Sequence, residues 1–194
     1  MLIQYDALRN AISNAPRAAW EPLPDYELDS VCLLLFDRGE TMLLTIQKTD
    51  SDGYHWRDQI ALPGGRIEEE DLCATAAALR ELHEELGIEP GEVEVLGSIG
   101  HFQTASLTND LEVIVGRWLQ PSQLRVDERE VARVLELSLA ELMELHHAGS
   151  RTALAPGPAG DEFEYAIANV RIWGVTARIL HDFLNMLPAP SKGG

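Results

Sequence analysis

Glu81, Glu84 and Glu85 lie at positions i, i+3 and i+4 of a segment with helical periodicity, Glu70 to Leu86. At 100° per residue, Leu72, Thr75, Leu79, Leu82 and Leu86 share one face, and the three glutamates gather on the opposing arc. Like charges at these spacings repel by a few tenths of a kcal/mol per pair, about 0.2–0.5, so the cluster adds nothing to an isolated helix. A cation among them removes that penalty. Hard carboxylate oxygens suit Mg²⁺ or Mn²⁺, ions that keep water ligands and bridge to phosphates. The plain alternative is a solvated acidic face, the usual fate of such runs. Ala74, Ala77 and Ala78 border the arc and leave room for a neighbouring loop or ligand.

The helix needs a scaffold, and the pattern on either side of it supplies one. Val31 to Phe36 and Met42 to Ile46 are apolar, partly β-branched runs joined by Arg38-Gly39-Glu40, which predicts a hairpin. Gln59 to Leu62 is a short strand ending at Pro63-Gly64-Gly65, and Gly87 closes the acidic helix as a C-terminal cap. Val93 to Ile99, Leu111 to Trp118 and Val131 to Leu137 are further strands, and Ser138 caps a short helix to His146. Ala148 to Gly160, rich in Gly, Pro and Ala, is expected to be a loop. A strand from Glu162 to Val170 and an amphipathic helix from Trp173 to Leu187 follow, with Trp173 expected as a core anchor. The N-terminus, residues 1–28, is read as a helix from Leu2 to Asn14 and an irregular arm; residues 29–187 form one domain and 188–194 a tail. The order of elements indicates an α/β fold, a mixed sheet flanked by helices.

Composition narrows the function. The formal net charge of −17 opposes attraction to a nucleic-acid backbone or an anionic membrane, so neither partner is expected. A small anionic ligand is compatible with that charge if local cations offset the field. Cys32 and Cys73, the two cysteines, are expected as small buried hydrophobes. The first residues lack a basic flank followed by an apolar run, so a cytoplasmic location is expected. Nothing in the sequence decides the assembly, which leaves a homodimer open.

Written from Gly65, the stretch is Gly65, five residues, Asp71, eight residues, Arg80-Glu81-Leu82, one residue, Glu84-Glu85, one residue, Gly87-Ile88. It resembles the Nudix box, Gly-x5-Glu-x7-Arg-Glu-U-x-Glu-Glu-x-Gly-U with U apolar, and its second half matches at every specified position. Asp71 in place of Glu and the extra residue before Arg80 are similar to the coenzyme A pyrophosphatase branch of that family. Leu43-Leu44-Thr45, Pro63-Gly64-Gly65, Glu130-Val131-Ala132 and the run Ile172 to Ala177 extend the resemblance over roughly residues 30 to 187. The branch's longer motif is altered here: Gln47-Lys48 replaces an Arg-Ser pair, the following loop is two residues longer, and Leu62 replaces Phe.

The resemblance implies a Nudix-type α/β/α sandwich with a catalytic loop-helix-loop, and metal-dependent cleavage of a pyrophosphate bond in a nucleoside diphosphate derivative. Coenzyme A and its thioesters lead as substrates; ADP-ribose, a dinucleoside polyphosphate, or nucleotide sensing without cleavage are the alternatives. Glu81 and Glu85 are implied as principal ligands of Mg²⁺ or Mn²⁺, with Glu84 joining for more than one ion and the carbonyl of Gly64 or Gly65 adding an oxygen. Arg80 is implied to orient the carboxylates; the alternative is an ordinary i,i+4 ion pair with Glu84. The general base is Glu81, Glu130 or Glu128, and the bland reading of Asp127 to Glu130 is a charged turn. Lys48, Arg57 and Arg66 are the candidate substrate cations, and His55, Trp56 and Arg57 could stack on a base and pair with phosphate. His83, His101, His146, His147 and His181 are expected to be structural or at the surface.

Overall fold

The computed structural model describes residues 1–15, 27–49, 59–104, 109–148, 152–157 and 160–188. Strands β1 (Glu27–Asp37) and β2 (Thr41–Lys48) form the expected hairpin, with Gly39 at φ +77 in its turn. A side chain disfavours that left-handed region, so glycine suits it. The run Cys32 to Phe36 is buried on both faces, which places β1 inside the sheet. It runs parallel to β6 (Asn109–Trp118), from Glu27 opposite Asn109 to Leu35 opposite Arg117. β5 (Val93–Gln103) adds antiparallel to β6, and β7 (Val131–Ser138) antiparallel to β2. Two short strands complete a sheet of seven among the described residues: β3 (Ile60–Ala61) against β2 and β4 (Gly64–Arg66) against β1.

Strand alternation divides the interior in two. Cys32, Leu34, Phe36, Leu44 and Ile46 meet helix α2 (Ala74–Leu86) through Ala78, Leu82 and Leu86. Leu33, Leu35 and Leu43 face the other way, onto α1 (Tyr5–Asn14), α3 (Leu139–His147) and α4 (Gly174–Met186). Helices on both faces of a mixed sheet make the α/β/α sandwich. Full burial of each leucine is worth about 1.5–3 kcal/mol, so these two cores hold the frame on which the loops are mounted. Ser138 caps α3, accepting from Glu141 N–H at 3.3 Å. Among the described residues, no helix is long and apolar enough to cross a membrane.

Four expectations need correction. The Gly/Pro/Ala-rich stretch contains a strand, β8 (Thr152–Gly157), paired antiparallel with β9 (Gly160–Ile167); a partner strand overrides weak local propensity. The predicted strand Glu162 to Val170 is interrupted by Ala168 and Asn169 at φ +49 and +60, the double left-handed turn of a tight hairpin, and resumes as β10 (Val170–Ile172). Trp173 is 45% exposed at the start of α4, and Ile172 takes the buried place instead. Helix α2 begins at Ala74, so Leu72 is 95% exposed and Cys73, which precedes the first turn, is exposed rather than buried. The first half of the predicted helix is held in a turn, with Asp71 N–H donating to Glu68 O at 3.1 Å and Glu68 N–H to Asp71 Oδ2 at 2.9 Å. Cys32 is buried as expected, and burial pushes its thiol up to about 12.

The candidate active site on the acidic helix

Helix α2 buries a wider face than its leucines alone predict: Ala74, Ala77 and Ala78 are covered, and with them Glu85, 1% exposed. The three glutamates therefore do not share an outward arc. Glu85 lies inside the interface, Glu81 at its border, and Glu84 outside. The small alanines allow this because β4 passes close to the helix, and β4 is built of glycine where it passes. A side chain at Gly65 would place its Cβ 2.5 Å from Glu81 Oε1; at Gly64, with φ +147, it would lie 2.3 Å from the Ser30 carbonyl oxygen.

Both oxygens of the buried Glu85 carboxylate are engaged. Gly64 N–H donates to Oε2 at 3.0 Å, and the Lys48 ammonium donates to Oε1 at 2.8 Å. The same ammonium donates to the Gly64 carbonyl at 3.1 Å. Lys48 reaches this place by alternation: Leu44 and Ile46 point at α2, and Lys48 is the next residue of that row. The register with β7 shifts between Gln47 and Lys48, where Ala132 of β7 is the extra residue, so β2 itself keeps its alternation. Burial raises the Glu85 carboxyl above the ordinary range, and Lys48 and the Gly64 amide oppose the rise. Glu81 is raised for the same reason, with Arg80 and then Lys48 opposing.

Arg80 is the clamp of the site. Its Nε and Nη2 donate to Asp71 at 3.2 and 3.0 Å, Nη1 donates to Glu81 at 2.9 Å and Glu84 at 2.8 Å, and Nη2 also reaches the Arg66 carbonyl at 2.9 Å. The i,i+4 pair with Glu84 is present, but it is one of several bonds from a single rigid fork. The guanidinium holds the Asp71 carboxyl below its usual range, and Asp71 and the glutamates keep Arg80 charged. Helical periodicity misses the pairing with Asp71, because Asp71 is in the preceding turn.

The remaining candidates are spread around this centre. Arg125 N–H and Asp127 N–H donate to the carbonyls of Leu86 and Glu85, both at 2.9 Å, so the segment before β7 satisfies the end of α2. The turn that follows brings Glu130 beside the site: its carbonyl accepts from Thr49 N–H at 2.9 Å, and its neighbour Val131 pairs with Lys48. The Glu130 and Glu128 side chains are exposed. Asp127 is paired with Arg129, whose guanidinium pulls its carboxyl down to about 2. Arg66 is exposed and paired with Glu27. Arg57, with His55 and Trp56, lies outside the described residues. His146 is a satisfied core histidine, its two ring nitrogens 2.9 Å from the Tyr165 hydroxyl and 3.0 Å from Asn185 Oδ1.

Among the described residues, no three His, Cys, Asp or Glu side chains converge as a ready-made cation cage. Lys48 and Arg80 instead occupy the carboxylates. The oxygens present are of the kind a hard divalent ion takes: the Lys48 ammonium is seated between a buried carboxylate and a main-chain carbonyl, with the Glu81 carboxylate against the adjacent Gly65.

Sequence and fold comparisons give the family. The NUDIX domain model matches residues 27–157. A Nudix hydrolase, NudL, from Shigella flexneri serotype 5b is 29% identical over 170 residues, covering 86% of this chain and 85% of that protein. NudL from Escherichia coli strain K12 / DH10B is 32% identical over 127 residues, 64% of each. Among solved structures, a MutT/nudix family protein from Enterococcus faecalis superposes with a TM-score of 0.56 at 14% identity, over 95% of this chain and 74% of that one. A C. elegans Ap4A hydrolase gives 0.50 at 13% identity, over 61% and 84%. This chain belongs to the Nudix family. It is a Nudix hydrolase, an enzyme that cleaves pyrophosphate bonds.

Proposed function

We propose that the enzyme hydrolyses the pyrophosphate bond of a nucleoside diphosphate derivative of the coenzyme A type, using Mg²⁺ or Mn²⁺ held by Glu81, Glu85 and the Gly64 carbonyl, with Glu84 joining for a further ion. The observation that carries the metal site is the Lys48 ammonium seated on Gly64 O and Glu85 Oε1. Held by these residues, a divalent ion would supply Lewis acidity toward phosphoryl oxygens and toward a water nucleophile. The chain's own residues do the rest. Gly64 N–H fixes Glu85, and Arg80 ties Glu81 and Glu84 to the turn at Asp71, so the carboxylates are oriented before substrate arrives. Glu130 takes the proton from attacking water in this reading, supported by its exposure and by its neighbour Val131 pairing with Lys48 at the end of β2. Arg66 and Arg57 are the substrate cations, which matter more than usual on a protein of charge −17.

Support for the coenzyme A type comes from Asp71 with its extra spacing residue, Leu43-Leu44-Thr45, and the run that opens the last helix. A second reading, ADP-ribose or a dinucleoside polyphosphate, is favoured by the altered stretch Gln47-Lys48 and the longer loop behind it. Retention of Glu81, Glu84 and Glu85 speaks for cleavage rather than sensing alone. The experiment is a panel of coenzyme A, its thioesters, ADP-ribose and dinucleoside polyphosphates, with Mg²⁺ or Mn²⁺ and with EDTA, products resolved by chromatography. Release of an adenosine bisphosphate and 4′-phosphopantetheine is the expected result. Intact coenzyme A beside cleaved ADP-ribose or dinucleoside polyphosphate would reassign the substrate to the second reading.

A further inference from the structure

A buried carboxylate with no cation is unstable, and Glu85 is buried with its second oxygen already committed to Gly64 N–H. Its first oxygen is served by Lys48, whose ammonium also takes the Gly64 carbonyl. These are two of the oxygens assigned above to the metal. An ammonium and a divalent ion cannot share them, since like charges at hydrogen-bond distance in a site shielded from water repel strongly. The Lys48 side chain retains 22% exposure where Glu85 retains none, so its head borders solvent. It stands at the end of β2, one residue before Thr49, and a long flexible stem lets its head swing outward.

We propose that Lys48 is a tethered cation that occupies the metal position until a divalent ion displaces it, and thereby sets the metal affinity of the site. The inference rests on the reading of Glu85 and Gly64 as metal donors. Two consequences follow. The metal-free enzyme keeps its helix and its β4 strand together, because Glu85 never lacks a partner. The metal binds more weakly than the same oxygens would bind it alone, by the factor by which Lys48 holds the site closed.

The test is Mn²⁺ binding to the full chain without substrate, followed by the electron paramagnetic resonance signal of free Mn²⁺ at fixed pH and ionic strength. Lys48→Met is expected to bind Mn²⁺ about tenfold or more tightly than the native protein, as removal of a competitor that fills the site nine-tenths of the time requires. Thermal unfolding gives a second readout: metal-free Lys48→Met should melt below the native protein, and saturating Mn²⁺ should raise its Tm by the larger increment. Lys48→Gln, which keeps a polar head, serves if the metal-free methionine variant does not fold, and should also tighten binding. Arg125→Met removes an exposed cation, paired with Glu89 and without a role in the site, from the general field and should change affinity less than about twofold. Unchanged or weaker Mn²⁺ binding by folded Lys48→Met or Lys48→Gln overturns the proposal, as does equal tightening by Arg125→Met. Glu85→Gln separates the underlying assignment: if it leaves Mn²⁺ binding intact in the native background, the metal donors themselves are misassigned.

Discussion

The two faces of the central sheet are closed by different means. Toward α1, α3 and α4 the seal is mainly hydrocarbon, with Leu33, Leu35 and Leu43 in one core with Ala177, Leu180, Phe183 and Leu184, and its buried His146 is satisfied by Tyr165 and Asn185. Toward α2 the same construction begins with Leu34, Leu44 and Ile46 on Ala78, Leu82 and Leu86, but its last rank is Lys48 on Glu85. One face is built for stability throughout. The other exchanges its final apolar contact for a charged one beside two glycines, and the site's chemistry begins there. Substitutions should therefore separate the faces cleanly, with turnover lost at one and stability at the other.

The largest effect is expected at the charged rank. Glu85→Gln should abolish nearly all turnover, and EDTA should do the same to the native enzyme, because a proposed metal-binding carboxylate or the proposed metal itself is gone. Removing one partner of a fully buried pair costs about 3–5 kcal/mol, but the partly exposed Lys48 can turn to water, so a loss of about 1–3 kcal/mol in a denaturant titration is the expected stability change. Comparable rates in Mg²⁺ and EDTA would end the metal-dependent reading. Next in size is Glu130→Gln, which should lower kcat by roughly 10²-fold, the scale of general-base catalysis, with Mn²⁺ affinity nearly unchanged. An unaltered rate would return the role of base to Glu81 or Glu128.

The difference between the faces also decides what the sequence discloses. Leu33 and Leu34 on successive faces, the glycine cap at Gly87 with φ +70, and the serine cap of α3 follow from rules that act over a few residues, and each is legible in the order of amino acids alone. The site glutamates are legible as a cluster, yet their depths are not. Periodicity based on leucines puts Glu85 on the solvent side, because it does not count Ala74, Ala77 and Ala78 as part of the buried face; they become so only when the helix packs on the sheet. Asp71 meets Arg80 across a turn, and Lys48 meets Glu85 between residues far apart in the chain. Such pairings depend on tertiary contact, which no local period encodes. Strand β8 is hidden for the same reason, since its pairing with β9 and not its composition makes it a strand.

A smaller effect on turnover tests whether orientation by Arg80 is separate from its charge. Lys in this place keeps one positive charge but cannot span Asp71, Glu81, Glu84 and the Arg66 carbonyl at once. Arg80→Lys should cost about 10- to 100-fold in kcat/KM, the usual scale for a partner that positions metal ligands. Part of that loss should appear as weaker Mn²⁺ binding, because Glu81 is no longer held. A variant with native Mn²⁺ affinity and native kcat/KM would reduce Arg80 to an ordinary surface ion pair.

The smallest effect on chemistry belongs to the hydrocarbon face, and it is the sharpest check on the comparison. Phe183 is fully buried in α4, on the far side of the sheet from Glu85, packed in the core that contains Leu180 and Leu184. Phe183→Ala removes a ring from a close-packed interior and leaves a cavity, a change that typically costs about 3–5 kcal/mol. Much of a natural domain's margin is of that size, so Tm should fall by several degrees or more. The strands β1 and β2 that carry the site keep their α2-facing row, Leu34, Leu44 and Ile46, intact. At a temperature where the variant is still folded, kcat per folded molecule should therefore stay within about twofold of native, since neither the metal donors nor their clamp has moved. A loss of turnover comparable to that of Glu130→Gln, with the protein demonstrably folded, would mean that the two faces are mechanically coupled through the sheet and that stability and chemistry are not divided between them.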